Sequence, residues 1–160
     1  MTNAQFSRRA ALFGLAATLG MALRPSASLA AATAIHVVKD PTCGCCAAWI
    51  DVLEADGFAA SVELLDYDAL QAHKAASGIP AAMLSCHTAH LDGYVIEGHV
   101  PPADIRRLLA ERPDAIGLAV PGMPFGSPGM GPESEREAYA VHLIRRDGST
   151  EVYATYDAAV

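Results

Sequence analysis

The sequence predicts a single mixed α/β domain, and three observations support that prediction. The chain has 160 residues, enough for one substantial hydrophobic core but hardly for two. Short segments rich in β-branched residues alternate with segments whose apolar residues recur at helical spacing. Glycine, proline and aspartate mark the boundaries between these segments. Such alternation is typical of a sheet covered by helices.

Residues 1–34 are expected to be a signal peptide that precedes this domain. Arg8 and Arg9 form a positively charged start, and an apolar stretch of about 14 residues follows at 10–23. The stretch is short for a bilayer span, and the small residues at 28–34 offer cleavage sites. Residues 7–12 also partly match the twin-arginine export pattern. We expect export, with residues 35–160 as the mature domain and no membrane span in it; an uncleaved anchor is the alternative.

The mature domain is expected to be strongly acidic. All 18 acidic residues follow residue 34, whereas three of the 11 basic residues (Arg8, Arg9 and Arg24) precede it. Removal of the signal therefore leaves a net charge of about −10. Such a surface repels phosphate backbones and attracts cations, so nucleic acid is excluded as a partner and metal ions are favoured.

The first half of the mature domain predicts the order strand, helix, strand, helix. Residues 35–39 form a β-branched strand, and a helix capped by Thr42 or Cys43 runs from there to Gly57. One face of that helix is expected to be buried, namely Cys46, Trp49, Ile50 and Leu53. A second strand at 61–65 precedes a helix that starts at Asp66 or Asp68 and ends at Gly78.

The next part predicts two strands and a helix. A third strand is expected over about 82–91, with a hairpin turn at Asp92-Gly93 and a fourth strand at 94–100. Pro101-Pro102 then opens a third helix, which Arg112-Pro113 closes. The resulting order, βαβα followed by ββα, is the thioredoxin-like arrangement, in which reactive cysteines lie where the first strand passes into the first helix.

The C-terminal part adds a loop and a hairpin to this core. Residues 117–132 hold four prolines, five glycines and two methionines, a composition too irregular for a helix or strand. We expect an ordered Gly/Pro/Met loop that lies over the sheet or the cysteines. Residues 139–156 predict a β-hairpin about Asp147-Gly148 at one edge of the sheet.

Three of the four cysteines lie within the stretch Pro41-Thr42-Cys43-Gly44-Cys45-Cys46, at the start of the first predicted helix. Unpaired N–H groups and the helix dipole stabilise thiolates there and make them nucleophiles and metal ligands. Crowded thiolates repel one another unless a cation neutralises them, and thiolate sulfur selects Cu(I) or Zn(II). Three donors from one turn fit a multinuclear Cu(I) cluster better than a single Zn(II). Any disulfide here is expected to join Cys43 to Cys46, because the closer spacings are strained.

Further ligands must come from elsewhere in the chain. Cys86 is the fourth thiol, interpreted as a ligand, with a disulfide partner or a buried apolar residue as alternatives. His87 follows it, and neighbours in a strand face opposite sides unless a bulge intervenes, so joint binding by both is left open. His99 and the thioethers of Met123 and Met130 are additional candidate ligands for Cu(I). The other histidines, His36, His73, His90 and His142, are expected to be surface or structural residues.

Three stretches together carry a family resemblance: PTCGCCAAWIDVLEADGF, SCHTAHLDGYVIEGHVP and GLAVPGMPFGSPGM. They resemble the exported thioredoxin-like metal-binding family long known only as a domain of unknown function, whose copper-resistance members are called CopG. The resemblance implies a periplasmic protein for copper or silver tolerance that binds Cu(I) and exchanges copper between redox states. Other periplasmic copper-handling proteins are expected partners. The ligands that it implies are Cys43, Cys45, Cys46 and Cys86.

Two other functions remain open at this point. A thiol-disulfide oxidoreductase would use Cys43 as nucleophile and Cys46 as resolving thiol, with Pro80 shaping the substrate groove. Cys45 argues against that enzyme, because a third thiol beside the pair would form the wrong mixed disulfides. The second alternative is an interaction domain stapled by two disulfides.

Overall fold

The computed structural model describes residues 32–160, which form a seven-stranded sheet and three α-helices. The strands are β1 Thr33–Lys39, β2 Phe58–Leu64, β3 His87–Leu91, β4 Tyr94–Glu97, β5 Gly117–Ala119, β6 Tyr139–Ile144 and β7 Thr150–Tyr156. The helices are α1 Gly44–Ala55, α2 Tyr67–Ala76 and α3 Pro102–Glu111, with short 3-10 turns at Ala81–Met83 and Glu133–Glu135. The predicted signal peptide lies outside the described residues. None of the helices described within 32–160 has the length and apolarity to cross a bilayer.

The sheet is mixed, with the strand order β2-β1-β3-β4-β5-β6-β7. The β1 strand pairs with β2 in parallel and with β3 antiparallel, and β4 returns antiparallel to β3. The predicted element order, βαβα followed by ββα, is present. The predicted hairpin is also present, because β6 and β7 pair antiparallel and leave β7 at the sheet edge.

Helices cover both faces of the sheet. On one face, Trp49 and Leu53 of α1 and Ile105 of α3 pack in the main hydrophobic core with Val37 of β1. The predicted stripe Cys46, Trp49, Ile50 and Leu53 is the buried face of α1. Successive residues of a strand point to opposite sides, so Thr88 points away from the main core in which its neighbour Ala89 lies. Lys74 of α2 contacts Thr88, and α2 therefore covers this other face.

The third predicted strand is shorter than expected. Instead of a strand over 82–91, the chain makes the 3-10 turn after Pro80, passes through a bend at Cys86 and enters β3 only at His87. The reason is that Ser85 donates its N–H to the carboxylate of Glu97 rather than to a neighbouring strand. The β4 strand ends at Glu97 rather than at residue 100, because Gly98 adopts φ +73° and turns the chain away from β3 after its N–H has bonded the carbonyl of His87.

The start of the predicted loop is a strand. Gly117–Ala119 forms β5, parallel to β4 and antiparallel to β6, in the interior of the sheet. Gly117 lies so close to Val95 that a Cβ atom would overlap the Val95 backbone, so glycine is needed to seat this strand. The rest of the segment, from Pro121, is an irregular ordered loop, as predicted.

Candidate metal centre

The cysteine cluster is built on the first turn of α1. Cys43 is the N-cap residue, and its sulfur accepts a hydrogen bond from the N–H of Cys46 at 3.3 Å. The preceding turn is held by Asp40, whose carbonyl accepts from the N–H of Cys43 and whose carboxylate accepts from Thr42. A cysteine thus takes the place of the usual capping serine or aspartate, which brings its sulfur to the helix N-terminus.

All four sulfur atoms lie within 4.8 Å of one another. Cys43 and Cys46 form a disulfide, the pairing expected from their spacing, whereas Cys45 and Cys86 are free thiols. The sulfur of Cys45 is 3.6 Å from that of Cys43 and 4.0 Å from that of Cys86. Residues 32–160 therefore contain one disulfide and not the two that the alternative of a stapled interaction domain requires.

Cys86 reaches the cluster because it lies in a bend and not in a strand. Ser85 is held on both sides: its N–H bonds Glu97 at 2.7 Å, and its hydroxyl donates to the carbonyl of Gly122. Gly98 permits the close approach, since a Cβ atom there would overlap the Ser85 side chain. Because of the bend, Cys86 and His87 do not point to opposite sides as neighbours in a strand would. The Cys86 sulfur and the His87 Nδ1 are 3.4 Å apart.

Two buried histidines complete a second, overlapping set of candidate ligands. The Nε2 of His99 is 3.0 Å from the sulfur of Cys86, and its Nδ1 donates to the carbonyl of Pro128 at 2.7 Å. That bond leaves Nε2 as the atom with the free lone pair in the neutral ring. Nε2 of His87 has no hydrogen-bond partner among residues 32–160 although it is buried. Cys86, His87 and His99 thus offer one sulfur and two nitrogens within 4.8 Å of one another.

Burial keeps these three groups uncharged at neutral pH. It raises the pKa of the Cys86 thiol to about 12, and the neighbouring Cys45 adds to the rise. Burial likewise lowers the pKa of His87 well below 6.5, with His99 and Lys74 acting in the same direction. The pKa of His99 is also lowered by burial. Without a metal, the Cys86 thiol is therefore protonated and both imidazoles are neutral. Binding of a metal by Cys86 must displace the thiol proton.

The Gly/Pro/Met loop closes one side of the centre. Gly129, at φ +81°, packs so tightly on α1 that a Cβ atom would come within 2.5 Å of the Trp49 nitrogen. This contact fixes the neighbouring Pro128, whose carbonyl orients His99. Met123 is 55% exposed and lines a groove of about 330 Å³ beside Cys86. Met130 forms a backbone turn with Ser127 and Gly126, and its role as a ligand remains a prediction.

The donor set fits a soft metal ion. Cysteine sulfur and neutral imidazole are ligands for copper or zinc, whereas hard cations prefer oxygen; Cys45 and Cys86 are free thiols, and reduction of the disulfide would add two more. The unpartnered Nε2 of His87 also fits, since a buried nitrogen without a hydrogen bond is uncommon unless a ligand occupies it.

A buried ion pair behind the centre was missed in the sequence. Lys74 Nζ lies 2.7 Å from Glu97 Oε1, and both side chains are fully buried. Glu97 also accepts from Thr88 and Ser85, so it ties α2 to the bend that carries Cys86. The sequence did contain a sign of this pair: Glu97 directly follows three apolar residues of a short strand, and a carboxylate buried there requires a partner.

Comparison with known proteins gives concordant matches. A family model described as "Protein of unknown function, DUF411" matches residues 83–130. The chain is similar to two solved structures titled "Copper resistance protein copG", Form 1 and Form 2. It is 46% identical to Form 1 over 79% of this chain and 98% of that one, with a TM-score of 0.74. It is 47% identical to Form 2 over 78% and 98%, with a TM-score of 0.72. A search of curated proteins finds no match.

Proposed function

The chain belongs to the DUF411 family of copper resistance proteins related to CopG, and from that premise we propose that it is a periplasmic protein that holds Cu(I) in a cysteine-thiolate site. Its role is copper or silver tolerance, by sequestration or by relay to other periplasmic copper-handling proteins. The observation that carries the proposal is the convergence of four sulfurs, three from one helix turn and one from a distant bend.

The close spacing of the sulfurs, three of them from one helix turn, favours copper over zinc as the cargo. The Cys45 sulfur lies 3.6 Å from that of Cys43 in the same turn and 4.0 Å from that of Cys86 in the bend. Sulfurs this close can bridge several Cu(I) ions, so the site is proposed to be multinuclear. The acidic mature domain raises the local concentration of cations.

The proposed setting is a thioredoxin-like domain exported by the signal at residues 1–34. The element order, the strand order and the position of the cysteines at the start of α1 support the fold assignment. A disulfide between Cys43 and Cys46 supports an oxidising compartment, where such bonds persist.

Redox chemistry follows from the disulfide. An external dithiol protein would supply two electrons and two protons, which convert the Cys43–Cys46 disulfide to two thiols and complete the four-sulfur site. In the opposite direction, these two thiols can give one electron each to two Cu(II) ions. The products are two Cu(I) ions, one disulfide and two protons. This step is the proposed cycling of copper between its two oxidation states.

Anaerobic titration with Cu(I), followed by native mass spectrometry, tests the proposal. The reduced protein is expected to retain copper, and Cys45→Ser is expected to bind fewer ions, because Cys45 lies between the other sulfurs. His142→Gln, on β6, is the matched control and should bind as wild type. Failure of the reduced protein to retain copper, or wild-type binding by Cys45→Ser, would contradict the proposal.

A thiol-disulfide oxidoreductase is the second candidate, and the Cys43–Cys46 disulfide at a helix N-terminus favours it. Pro80, the expected groove residue, precedes a 3-10 turn, and Cys86 is the residue that faces the cluster. An insulin reduction assay separates the two functions. Activity that persists in Cys45→Ser and Cys86→Ser would support the enzyme over the copper site.

A further inference from the structure

A second group of metal-binding side chains lies on the sheet face that α2 covers. His73 of α2 and His90 of β3 point at each other, with their Nε2 atoms 2.9 Å apart. The rings are nearly perpendicular, at an interplanar angle of 87°, and both side chains are half-buried. Neither histidine belongs to the cysteine centre, and the sequence predicted only surface or structural roles for them.

A third imidazole stands beside this pair. His36 of β1 lies directly opposite His90 in the antiparallel register, so the two side chains share one face of the sheet about 5 Å apart at Cβ. Its ring nitrogens contact Ser61 at 3.0 Å and Glu63 at 3.1 Å, both on β2. Both contacts are exposed, and binding of a metal by His36 would require it to exchange one of them for the ion.

The two central histidines are held in place by their surroundings. His73 precedes Lys74, which anchors α2 to the sheet through Glu97 at 2.7 Å and Thr88 at 3.1 Å. His90 lies in β3, an interior strand paired on both sides. The two rings, whose Nε2 atoms are 2.9 Å apart, therefore project from backbone segments that the fold holds in place. Preorganisation of this kind lowers the entropic cost of binding a ligand.

The distance between the nitrogens matches a metal chelate as well as a hydrogen bond. Two nitrogens about 2.0–2.1 Å from one metal and at a right angle to each other are about 2.9 Å apart. Right-angled nitrogen ligands are the geometry of square-planar and tetragonal Cu(II). Burial, with the nearby His73 and His36, lowers the pKa of His90, which keeps this ring in the neutral form that binds metals.

We propose that His73 and His90, with His36 as a third donor, form an imidazole site that binds Cu(II). Nitrogen ligands suit Cu(II), and among divalent first-row metals such a site binds Cu(II) most tightly. The site lies three residues along the chain from His87, about 10 Å at the rise of a β-strand. It uses no cysteine, so it can be tested independently of the thiolate centre.

The test uses the mature chain with Cys43, Cys45, Cys46 and Cys86 replaced by serine, so that no thiol reduces the probe, Cu(II) sulfate. We expect one Cu(II) per chain, with three nitrogen ligands in the electron paramagnetic resonance spectrum. His90→Gln or His73→Gln should weaken binding by about tenfold or more, His36→Gln should remove one nitrogen, and His142→Gln should change nothing.

Three outcomes would overturn the site. They are the absence of nitrogen-ligated Cu(II), an equal loss of affinity in His142→Gln, and loss of the bound ion in His87→Gln or His99→Gln with retention in His90→Gln. A second measurement guards against misfolded variants. Zn(II) added to the same cysteine-free chain with all six histidines intact should shift the imidazole ¹⁵N resonances of His73 and His90 but not of His142. Unmoved His73 and His90 resonances would likewise overturn the proposal.

Discussion

The buried histidines of the cysteine centre are held in a form that is costly without a metal. His87 is fully buried and leaves Nε2 without a partner, and His99 is fully buried with one ring nitrogen on Pro128 and the other on Cys86. Burial lowers the pKa of both rings, because a charged imidazole would lose its hydration. The centre is therefore suited to metal binding at the expense of stability in acid.

The metal-free chain should lose stability as pH falls below about 6.5. Above that pH both rings are neutral in the folded and in the unfolded chain. Below it the two histidines bind protons in the unfolded chain but not in the folded chain, where their pKa values are lowered. Each ring should lower the free energy of unfolding by up to about 1.4 kcal/mol per pH unit. Urea denaturation at pH 7.5 and 5.5 measures the change. His99→Gln should reduce it and His142→Gln should not; equal stability at both pH values would refute the assignment.

At the scale of elements, a buried ion pair joins α2 to the hairpin that carries the centre. Glu97 accepts hydrogen bonds from Lys74, Thr88 and Ser85, and its carboxylate has no contact with solvent. A charge buried in this way is tolerated only with its partners in place. The position of Cys86 thus depends on a glutamate eleven residues further along the chain.

Glu97→Gln should destabilise the fold by about 3–5 kcal/mol, because it leaves the Lys74 ammonium buried without a counter-charge. Chemical denaturation measures the loss. Asp114→Asn is the matched control, since it breaks an ion pair with Arg146 that is exposed to solvent and should leave stability nearly unchanged. The double variant Lys74→Met with Glu97→Gln should recover part of the loss. A Glu97→Gln protein as stable as Asp114→Asn would show that the pair contributes little.

For the whole molecule, a metal at the cysteine centre would join parts of the chain that are far apart in sequence. Cys43 to Cys46 begin α1, whereas Cys86 and His99 flank the β3–β4 hairpin. An ion bound to both regions stabilises only the folded state, because the unfolded chain does not bring them together. Copper binding should therefore be visible as stability of the entire domain.

Anaerobic calorimetry should show a higher melting temperature for the reduced chain with Cu(I) than without it. At a free Cu(I) concentration a thousandfold above Kd the gain is about 4 kcal/mol. The gain should be smaller in Cys86→Ser and in the chain with the Cys43–Cys46 disulfide, since each lacks sulfurs of the full site. An equal gain in Cys86→Ser and wild type would exclude Cys86 from the site.

Local signals account for the features that were predicted correctly. The buried face of α1 follows from apolar residues at helical spacing, and the hairpin turn at Asp92-Gly93 follows from a backbone conformation that these residues favour. The Cys43–Cys46 pairing follows from spacing within one helix turn. Each depends on residues a few positions apart, so the order of residues alone contains the information.

The sequence by itself determined the order of the elements and the sulfur-rich start of α1, and it predicted a soft-metal chemistry. Only the tertiary structure decided that Gly117–Ala119 is an interior strand, that Cys86 lies in a bend facing Cys45, and that His73 meets His90. The physical reason is the sequence separation of the residues that interact. Helix periods and turns are set by neighbours in the chain, whereas the bend at Cys86 is set by hydrogen bonds to Glu97 and Gly122, whose approach depends on the packing of the complete sheet.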